Sequence, residues 1–158
     1  MVTFCFFISV AYSYCYTTEN VKPVPIVSRS EVVQRSTEMI TRYEWLALEA
    51  YPDTRGWSIG YGTRSHQGET ITQQEAWARM EAIVAQSVRR VMRDFPEASE
   101  NEIVALTSLF YNCHGWYKRL KREWYEAWLD PKFCTLPGYS WLIDRRNEER
   151  RLIWFDSE

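Results

Sequence analysis

Apolar positions recur at helical spacing from residue 31 onward, and they predict a mainly helical domain. Ser28-Arg-Ser-Glu31 matches a capping box, which marks the start of the first helix. The apolar stripe of this helix consists of Val33, Ile40, Tyr43 and Ala47. Glu44 follows Ile40 by one turn, so we expect it beside the stripe, near the helix end. Pro52 ends the pattern because it moves Tyr51 away from helical geometry.

The chain downstream of residue 72 is also expected to be helical. A second capping box, Thr72-Gln-Gln-Glu75, opens a long helix that Pro96 stops. Ser99-Glu-Asn-Glu102 opens the next helix, which Gly115 breaks. The apolar stripes of these two helices are Ala76, Met80, Ile83, Val84, Ser87 and Val91, then Ile103, Leu106, Leu109 and Phe110.

A Trp-rich amphipathic segment and a final helix complete the pattern. The segment carries Trp124, Ala127 and Trp128, and a loop follows it at Pro131 and Pro137-Gly138. Ser140 is expected to cap a last helix that runs to about Phe155.

The region between the first two helices has the features of a small sheet. Asp53-Thr-Arg-Gly56 and His66-Gln-Gly68 are typical of turns, and Trp57-Ser-Ile-Gly-Tyr-Gly62 alternates as a short strand. Two or three strands are expected here. The predicted fold class is therefore α+β, with a small N-terminal β lobe, a larger helical lobe and a cleft between them.

The chain before the domain differs in composition. Residues 1–16 are apolar and aromatic but lack a positive start, and they are short for a membrane span. We favour an export signal or a membrane tether over a segment docked in a larger assembly. The polar and proline-containing stretch at 17–30 is typical of a linker, so 31–158 is expected to form the domain.

Composition and charge exclude some functions. A chain of 158 residues with net charge −2 and pI ≈ 5.8 can bury one core and is not expected to bind nucleic acid. Two basic clusters would suit an anionic polymer if they are exposed. They are Lys118, Arg119, Lys121 and Arg122, and Arg145, Arg146, Arg150 and Arg151.

The four cysteines do not indicate a metal site, since no C-x-x-C spacing occurs, and we expect neither metal nor cofactor. Cys5 and Cys15 lie in the leader, whereas Cys113 and Cys134 either pair or remain thiols. A third hypothesis, thiol or metal chemistry at Cys113, His114 and Cys134, is weak. Neighbouring helical side chains point about 100° apart.

Glu44, Asp53 and Ser58 provide the groups needed to cleave a glycosidic bond. Such cleavage uses one protonated acid and one carboxylate in different environments. The apolar surroundings expected for Glu44 favour its protonated form, and the polar turn around Asp53 favours the carboxylate. The Ser58 hydroxyl is placed to hold a water near Asp53. Each residue alone has an ordinary structural explanation, but the ordered set is specific.

The block from Glu44 to Gly62 resembles the catalytic motif of phage-type lysozymes, glycoside hydrolase family 24. The motif has Glu, eight residues, Asp, a turn with Gly, then Thr-Ile-Gly-x-Gly, and the chain matches it at Tyr51, Gly56, Ile59, Gly60 and Gly62. The resemblance continues through residues 68–76, Leu106–Asn112 with Gly115, and Leu142–Leu152. It spans roughly residues 32–153.

The resemblance implies a lysozyme-like fold and a muramidase that cleaves the β-1,4 bond between N-acetylmuramic acid and N-acetylglucosamine in peptidoglycan. It implies that Glu44 is the general acid, that Asp53 assists the attacking water, and that Arg145 or Arg146 approaches Glu44. A salt bridge to Glu149 is the alternative for either arginine. Further candidates for binding or supporting the substrate are Tyr51, Trp57 and Tyr61.

The chain departs from the family motif at four places. Ser58 replaces threonine, and the turn from Asp53 to Ser58 is one residue shorter than the commonest family spacing. Trp45 follows Glu44 where the family usually has glycine, and Thr63-Arg64 stands where many members have a histidine. An alternative hypothesis is therefore a catalytically weak or inactive wall-binding or phage structural protein. We expect a monomer, exported to the periplasm or host wall or carried in a phage particle. Hydrolysis and anhydro-sugar formation both remain open.

Overall fold

The computed structural model describes residues 29–54, 56–129 and 142–154, without the side chains of 122–129. These residues form five helices and three strands. In chain order they are α1 Arg29–Thr41, β1 Ala47–Asp53, β2 Gly56–Gly60, β3 Thr63–Ser65, α2 Gln73–Asp94, α3 Glu100–Asn112, α4 His114–Leu129 and α5 Ile143–Trp154. The predicted α+β class, mainly helical with a small sheet near the N-terminus, is confirmed.

Several sequence predictions lie outside the described residues. These concern the apolar leader at 1–16, Ser28, Cys5, Cys15 and Cys134, the side chains of Trp124, Ala127 and Trp128, and the loop from Pro131 to Ser140. Within the described ranges, every helix is too short or too polar to cross a membrane.

The first helix is shorter than its apolar pattern predicts. It ends at Thr41, and the Tyr43 N–H then donates to the Ile40 carbonyl at 3.0 Å in a tight turn. Residues 47–53 form a strand because they pair with β2, which overrides the helical spacing of Ala47. Glu44 therefore lies in the connection between α1 and β1, and its placement on a helix was wrong.

The sheet is antiparallel in the order β1-β2-β3. Tyr51 pairs with Ser58 across the first two strands, and Ser58 pairs with Arg64 across the last two. These three side chains share one face of the sheet. β2 ends at Gly60, where φ is +63° and an added Cβ would lie 3.2 Å from Ala76 Cβ. Only glycine allows the sheet to approach α2 this closely.

Both downstream capping boxes are present. Thr72 and Glu75 exchange hydrogen bonds at the start of α2, and Ser99 and Glu102 do so at the start of α3. The predicted core stripes are largely correct, but Ile83 is exposed and Val88 is buried in its place. The hydrophobic core is one cluster with residues from the helices and from the sheet. It includes Ile40, Ile59, Met80, Val84, Leu106, Leu109 and Leu120.

The break between α3 and α4 occurs at Cys113 rather than at Gly115, which lies inside α4. Cys113 leaves helical geometry, with φ −141° and ψ 76°, while its N–H still donates to the Leu109 carbonyl at 2.8 Å. Its own carbonyl accepts from the Trp116 and Tyr117 N–H groups at 3.0 and 3.1 Å. One residue thus ends one helix and begins the next.

Asp94 joins α2 to α4. Its side chain is only 5% exposed. It forms ion pairs with Arg90 and Lys121, both at 2.8 Å, and accepts a hydrogen bond from the Tyr117 hydroxyl at 3.1 Å. Burial opposes this negative charge, but the hydrogen bonds from Lys121, Arg90 and Tyr117 outweigh it and lower the pKa of Asp94 to about 2.

We predict that this contact makes the fold sensitive to acid. The ordinary pKa of 3.8 is depressed on folding, so the stabilisation is present above pH 3.8 and is lost as pH falls toward 2. Asp94→Asn should lower the free energy of unfolding at pH 6 and reduce its decline between pH 4 and 2. Urea unfolding across this range measures both. A decline as steep as in the wild type would contradict the assignment.

Candidate active site

Glu44 is held by a buried arginine from the last helix. Arg145 Nη1 lies 2.6 Å from Glu44 Oε1, while the arginine side chain is fully buried and that of Glu44 is 20% exposed. The same guanidinium donates from Nε to Ser108 Oγ at 3.0 Å and from Nη2 to the Ser108 carbonyl at 3.1 Å. Ser108 on α3 thus orients the Arg145 guanidinium, and Arg145 in turn orients the Glu44 carboxyl group. The apolar setting expected for Glu44 is therefore incomplete, because a cation lies beside it.

The second arginine takes the alternative partner. Arg146 Nη2 donates to Glu149 Oε1 at 2.6 Å, and its guanidinium lies 5.9 Å from the centroid of the Trp116 ring. Glu149 is also 3.6 Å from Arg145 Nε. Burial raises the pKa of Glu149, opposed by the charges of both arginines. Arg145 and Arg146 are buried, so these two members of the second basic cluster do not contribute to an exposed basic surface.

Two neighbours of Glu44 fasten the same connection to α5. Tyr43 donates a hydrogen bond from its hydroxyl to Glu148, and Arg42 forms an ion pair with Glu148. Arg145 also lies over the Tyr43 ring at 5.7 Å. Three successive residues of the α1–β1 connection therefore contact α5, which limits the positions open to Glu44.

Asp53 and Ser58 meet across the β1–β2 hairpin. Ser58 donates from Oγ to Asp53 Oδ2 at 3.0 Å, and the Thr54 N–H donates to Asp53 Oδ1 at 2.6 Å. The register explains the contact, because Asp53 pairs with Gly56 and Tyr51 pairs with Ser58, so the side chains share one face. The shortened turn still brings the hydroxyl to the carboxylate.

A cleft of about 300 Å³ opens beside this pair and is lined by Asp53, Thr54, Ser58, Gly62, Arg64 and Asn112. Gly62 connects the cleft to Glu44, because an added Cβ would lie 4.0 Å from Glu44 Oε2 and 4.0 Å from the Tyr111 hydroxyl. Its φ of +83° also requires glycine. A side chain larger than a methyl group here would approach Glu44 and the Tyr111 hydroxyl more closely.

The sequence candidates did not include several residues of this region, among them Arg64, Asn112, Tyr111 and Gly62. Arg64 reaches the cleft because it pairs with Ser58 across β2 and β3, which only the register reveals. Asn112 and Tyr111 come from the end of α3, far along the chain, and Gly62 was noted only for its match to the motif. No local pattern indicated that these residues meet.

Two tyrosines lie close to the carboxylates. Burial raises the pKa of Tyr51, and the negative charges of Asp53 and Glu44 raise it further. Burial also raises the pKa of Tyr111, with Glu44 as the next cause. The Tyr111 hydroxyl donates to the Tyr61 carbonyl at 2.6 Å. Both phenols therefore remain protonated hydrogen-bond donors at neutral pH.

The other sequence candidates lie away from the cleft. The Tyr61 ring is buried in the core and meets Trp77 edge to face at 6.4 Å, so only its backbone reaches the site. Trp57 follows Gly56 and precedes Ser58 on β2, so its side chain lies on the opposite face from Ser58. The structure does not bring Trp57 or Tyr61 to the carboxylates.

The region of Cys113 and His114 has a packing role. Cys113 caps α3, and the His114 ring packs on Phe110 with 4.7 Å between centroids. Across the described ranges, no three His, Cys, Asp or Glu residues are grouped as metal ligands.

Comparison with known proteins gives one family and several structures. The family model described as phage lysozyme matches residues 41–121. The endolysin from Escherichia coli O157:H7 phage FAHEc1 is 28% identical with a TM-score of 0.58, covering 79% of this chain and 93% of its own. No significant match occurs among curated protein sequences.

Two structures of lower sequence identity support the fold. The muramidase domain of SpmX from Asticaccaulis excentricus has a TM-score of 0.61 at 23% identity, covering 75% of this chain and 94% of its own. The active form of the P1 phage endolysin Lyz has a TM-score of 0.57 at 19% identity, covering 80% of this chain and 93% of its own.

We predict that Arg145 contributes strongly to stability. Arg145→Met removes the donor to Ser108 and Glu44 and one of the two cations beside buried Glu149, and it should lower the free energy of unfolding by about 3 kcal/mol. Arg42→Met is the matched control, since it also removes a contact between the α1–β1 connection and α5. The ion pair that it removes is largely exposed, with the Arg42 side chain 61% and the Glu148 side chain 28% exposed. That control should lose less than about 1 kcal/mol. Equal losses in urea unfolding would contradict the buried role.

Proposed function

The chain belongs to the phage lysozyme family, and we propose that it is a peptidoglycan muramidase. It hydrolyses the β-1,4 bond between N-acetylmuramic acid and N-acetylglucosamine. The observation that carries the proposal is the pair of carboxylates near Gly62, one held by an arginine and one by a serine. The two have different surroundings, as a glycosidase requires. Similarity to an endolysin supports the same activity.

Glu44 is the general acid. Its Oε1 accepts from Arg145 whether the carboxyl group is charged or neutral, because a carbonyl oxygen and a carboxylate oxygen both accept. Its Oε2 is the oxygen nearest Gly62 and the cleft. We assign the transferable proton to Oε2, from which it passes to the leaving glycosidic oxygen.

Asp53 acts as the carboxylate partner. Hydrogen bonds from Ser58 and from the Thr54 N–H stabilise its charged form. In this form it stabilises positive charge on the sugar and orients or deprotonates the attacking water. Ser58 takes the position of the family threonine and fixes the rotamer of Asp53.

The hypothesis of an inactive wall-binding protein is the less favoured alternative. It was based on the shortened turn and on Trp45, and the turn still leaves Ser58 3.0 Å from Asp53. The motif supports the finer assignment to glycoside hydrolase family 24. We further propose that the protein acts as a monomeric endolysin or virion-associated lysozyme that is exported or carried to the wall.

Glu44→Gln should abolish wall cleavage, because the amide cannot supply the proton, while the hydrogen bond from Arg145 to the side-chain oxygen is kept. Turbidity of permeabilised Gram-negative cells and release of reducing ends measure cleavage, and mass spectrometry distinguishes hydrolysis from anhydro-sugar formation. The matched control is Glu97→Gln, the same change at an exposed site between α2 and α3. Wild-type clearing by Glu44→Gln would rule out Glu44 as the acid.

Ser58 should act through its hydroxyl. Ser58→Ala removes the hydrogen bond to Asp53 and should lower kcat by roughly 10- to 100-fold, the equivalent of one charge-assisted hydrogen bond. Ser58→Thr keeps the hydroxyl and should retain the wild-type rate or exceed it. Initial rates of wall cleavage give both values. A large loss in Ser58→Thr together with little loss in Ser58→Ala would contradict this role.

A further inference from the structure

Trp45 is the most exposed of the large apolar residues in the part of the chain that the structure describes. Its side chain is 75% exposed, whereas Leu48, the next in rank, is 43% exposed. An indole exposed to this degree gains little from folding, since water still covers most of its surface. Its position therefore needs another explanation, and it directly follows Glu44 in the chain.

Trp45 lies against the cleft face of the sheet. Its ring meets the Tyr51 ring with 6.0 Å between centroids at an angle of 54°. Tyr51 pairs with Ser58 and precedes Asp53 by two residues, so all three share that face. The indole thus packs on the strand that carries the second carboxylate, and it directly follows the proposed acid in the chain.

The two rings form an angled apolar surface beside a polar cleft. Of the six cleft-lining residues, none is aromatic, so the cleft itself offers hydrogen bonds and charge but no flat apolar surface. A sugar ring has an apolar C–H face and a polar rim, and it stacks on aromatic rings in the same way as other flat apolar groups. Trp45 with Tyr51 supplies the surface that the cleft lacks.

We propose that Trp45, supported by Tyr51, is a stacking platform for one sugar ring of the glycan strand next to the bond that is cleaved. Tyr51 holds the indole from one side, and the exposed indole face receives the sugar. Tyr51 also lies close enough to Asp53 and Glu44 for both negative charges to raise its pKa. This inference rests on the proposed function, because it names a binding site for the same substrate.

The first test separates binding from chemistry. Trp45→Ala should raise KM for soluble peptidoglycan about tenfold, equivalent to about 1.4 kcal/mol, with kcat within twofold of the wild type. Trp45→Phe should recover most of the loss because it restores an aromatic face. Trp154→Ala is the matched control, since Trp154 is 41% exposed at the end of α5, and its KM should stay unchanged. Thermal melting verifies that each variant folds.

The second test works even if the protein cleaves nothing. The Glu44→Gln variant is titrated with a tetramer of β-1,4-linked N-acetylglucosamine while tryptophan fluorescence is recorded. The same titration of Glu44→Gln/Trp45→Phe isolates the signal of Trp45. A saturable change that depends on Trp45, and about tenfold weaker binding by Glu44→Gln/Trp45→Ala, would support the platform.

The outcomes distinguish the two proposals. Cleavage by the wild type with an unchanged KM in Trp45→Ala, or with a loss confined to kcat, would overturn the platform and leave the muramidase proposal intact. No cleavage by the wild type, with Trp45-dependent binding of the tetramer, would overturn the muramidase proposal and keep the platform. Trp45-dependent binding to phosphatidylglycerol vesicles without any effect of the tetramer would overturn the platform in favour of a lipid contact.

Discussion

The buried guanidinium of Arg145 is the contact on which the rest of the site depends. It reaches Ser108 on α3 and Glu44 in the α1–β1 connection, so a single side chain on α5 joins three separate parts of the fold. A buried charge is tolerated only when its donors are satisfied, and here serine oxygens and a carboxylate satisfy them. The orientation of the proposed acid thus depends on the packing of the last helix, which Glu44 and its neighbours Arg42 and Tyr43 contact.

The second carboxylate is placed by independent means. Strand register aligns Asp53, Ser58 and Arg64 on one face, and glycine at positions 60 and 62 lets the hairpin approach α2 and Glu44. The helical lobe therefore positions one carboxylate and the sheet positions the other, and Gly62 lies near both. Separate supports explain how the two acids acquire different surroundings, on which glycosidic bond cleavage by an acid and a carboxylate depends.

The sequence predicted much of this arrangement but not all of it. The two downstream capping boxes, the core stripes and the Asp53–Ser58 turn were predictable because they depend on local spacing. Strand β1 was missed because Ala47 also fits a helical stripe, and only pairing with β2 decides between the two. Arg64 and Asn112 reach the cleft through register and helix packing, which no local pattern encodes. The choice of Arg145 over Arg146 likewise required the packing of α5 against α3.

The contact between Arg145 and Glu44 also affects the order in which the site forms during chain synthesis. The two residues are 101 positions apart in the chain, so during synthesis Glu44 emerges from the ribosome well before the arginine that orients it. Until α5 is made and docks on α3, the α1–β1 connection lacks its contacts to Arg145 and Glu148. The nascent chain therefore holds both carboxylates before their arrangement is complete, and the proposed site assembles only after α5 has been made.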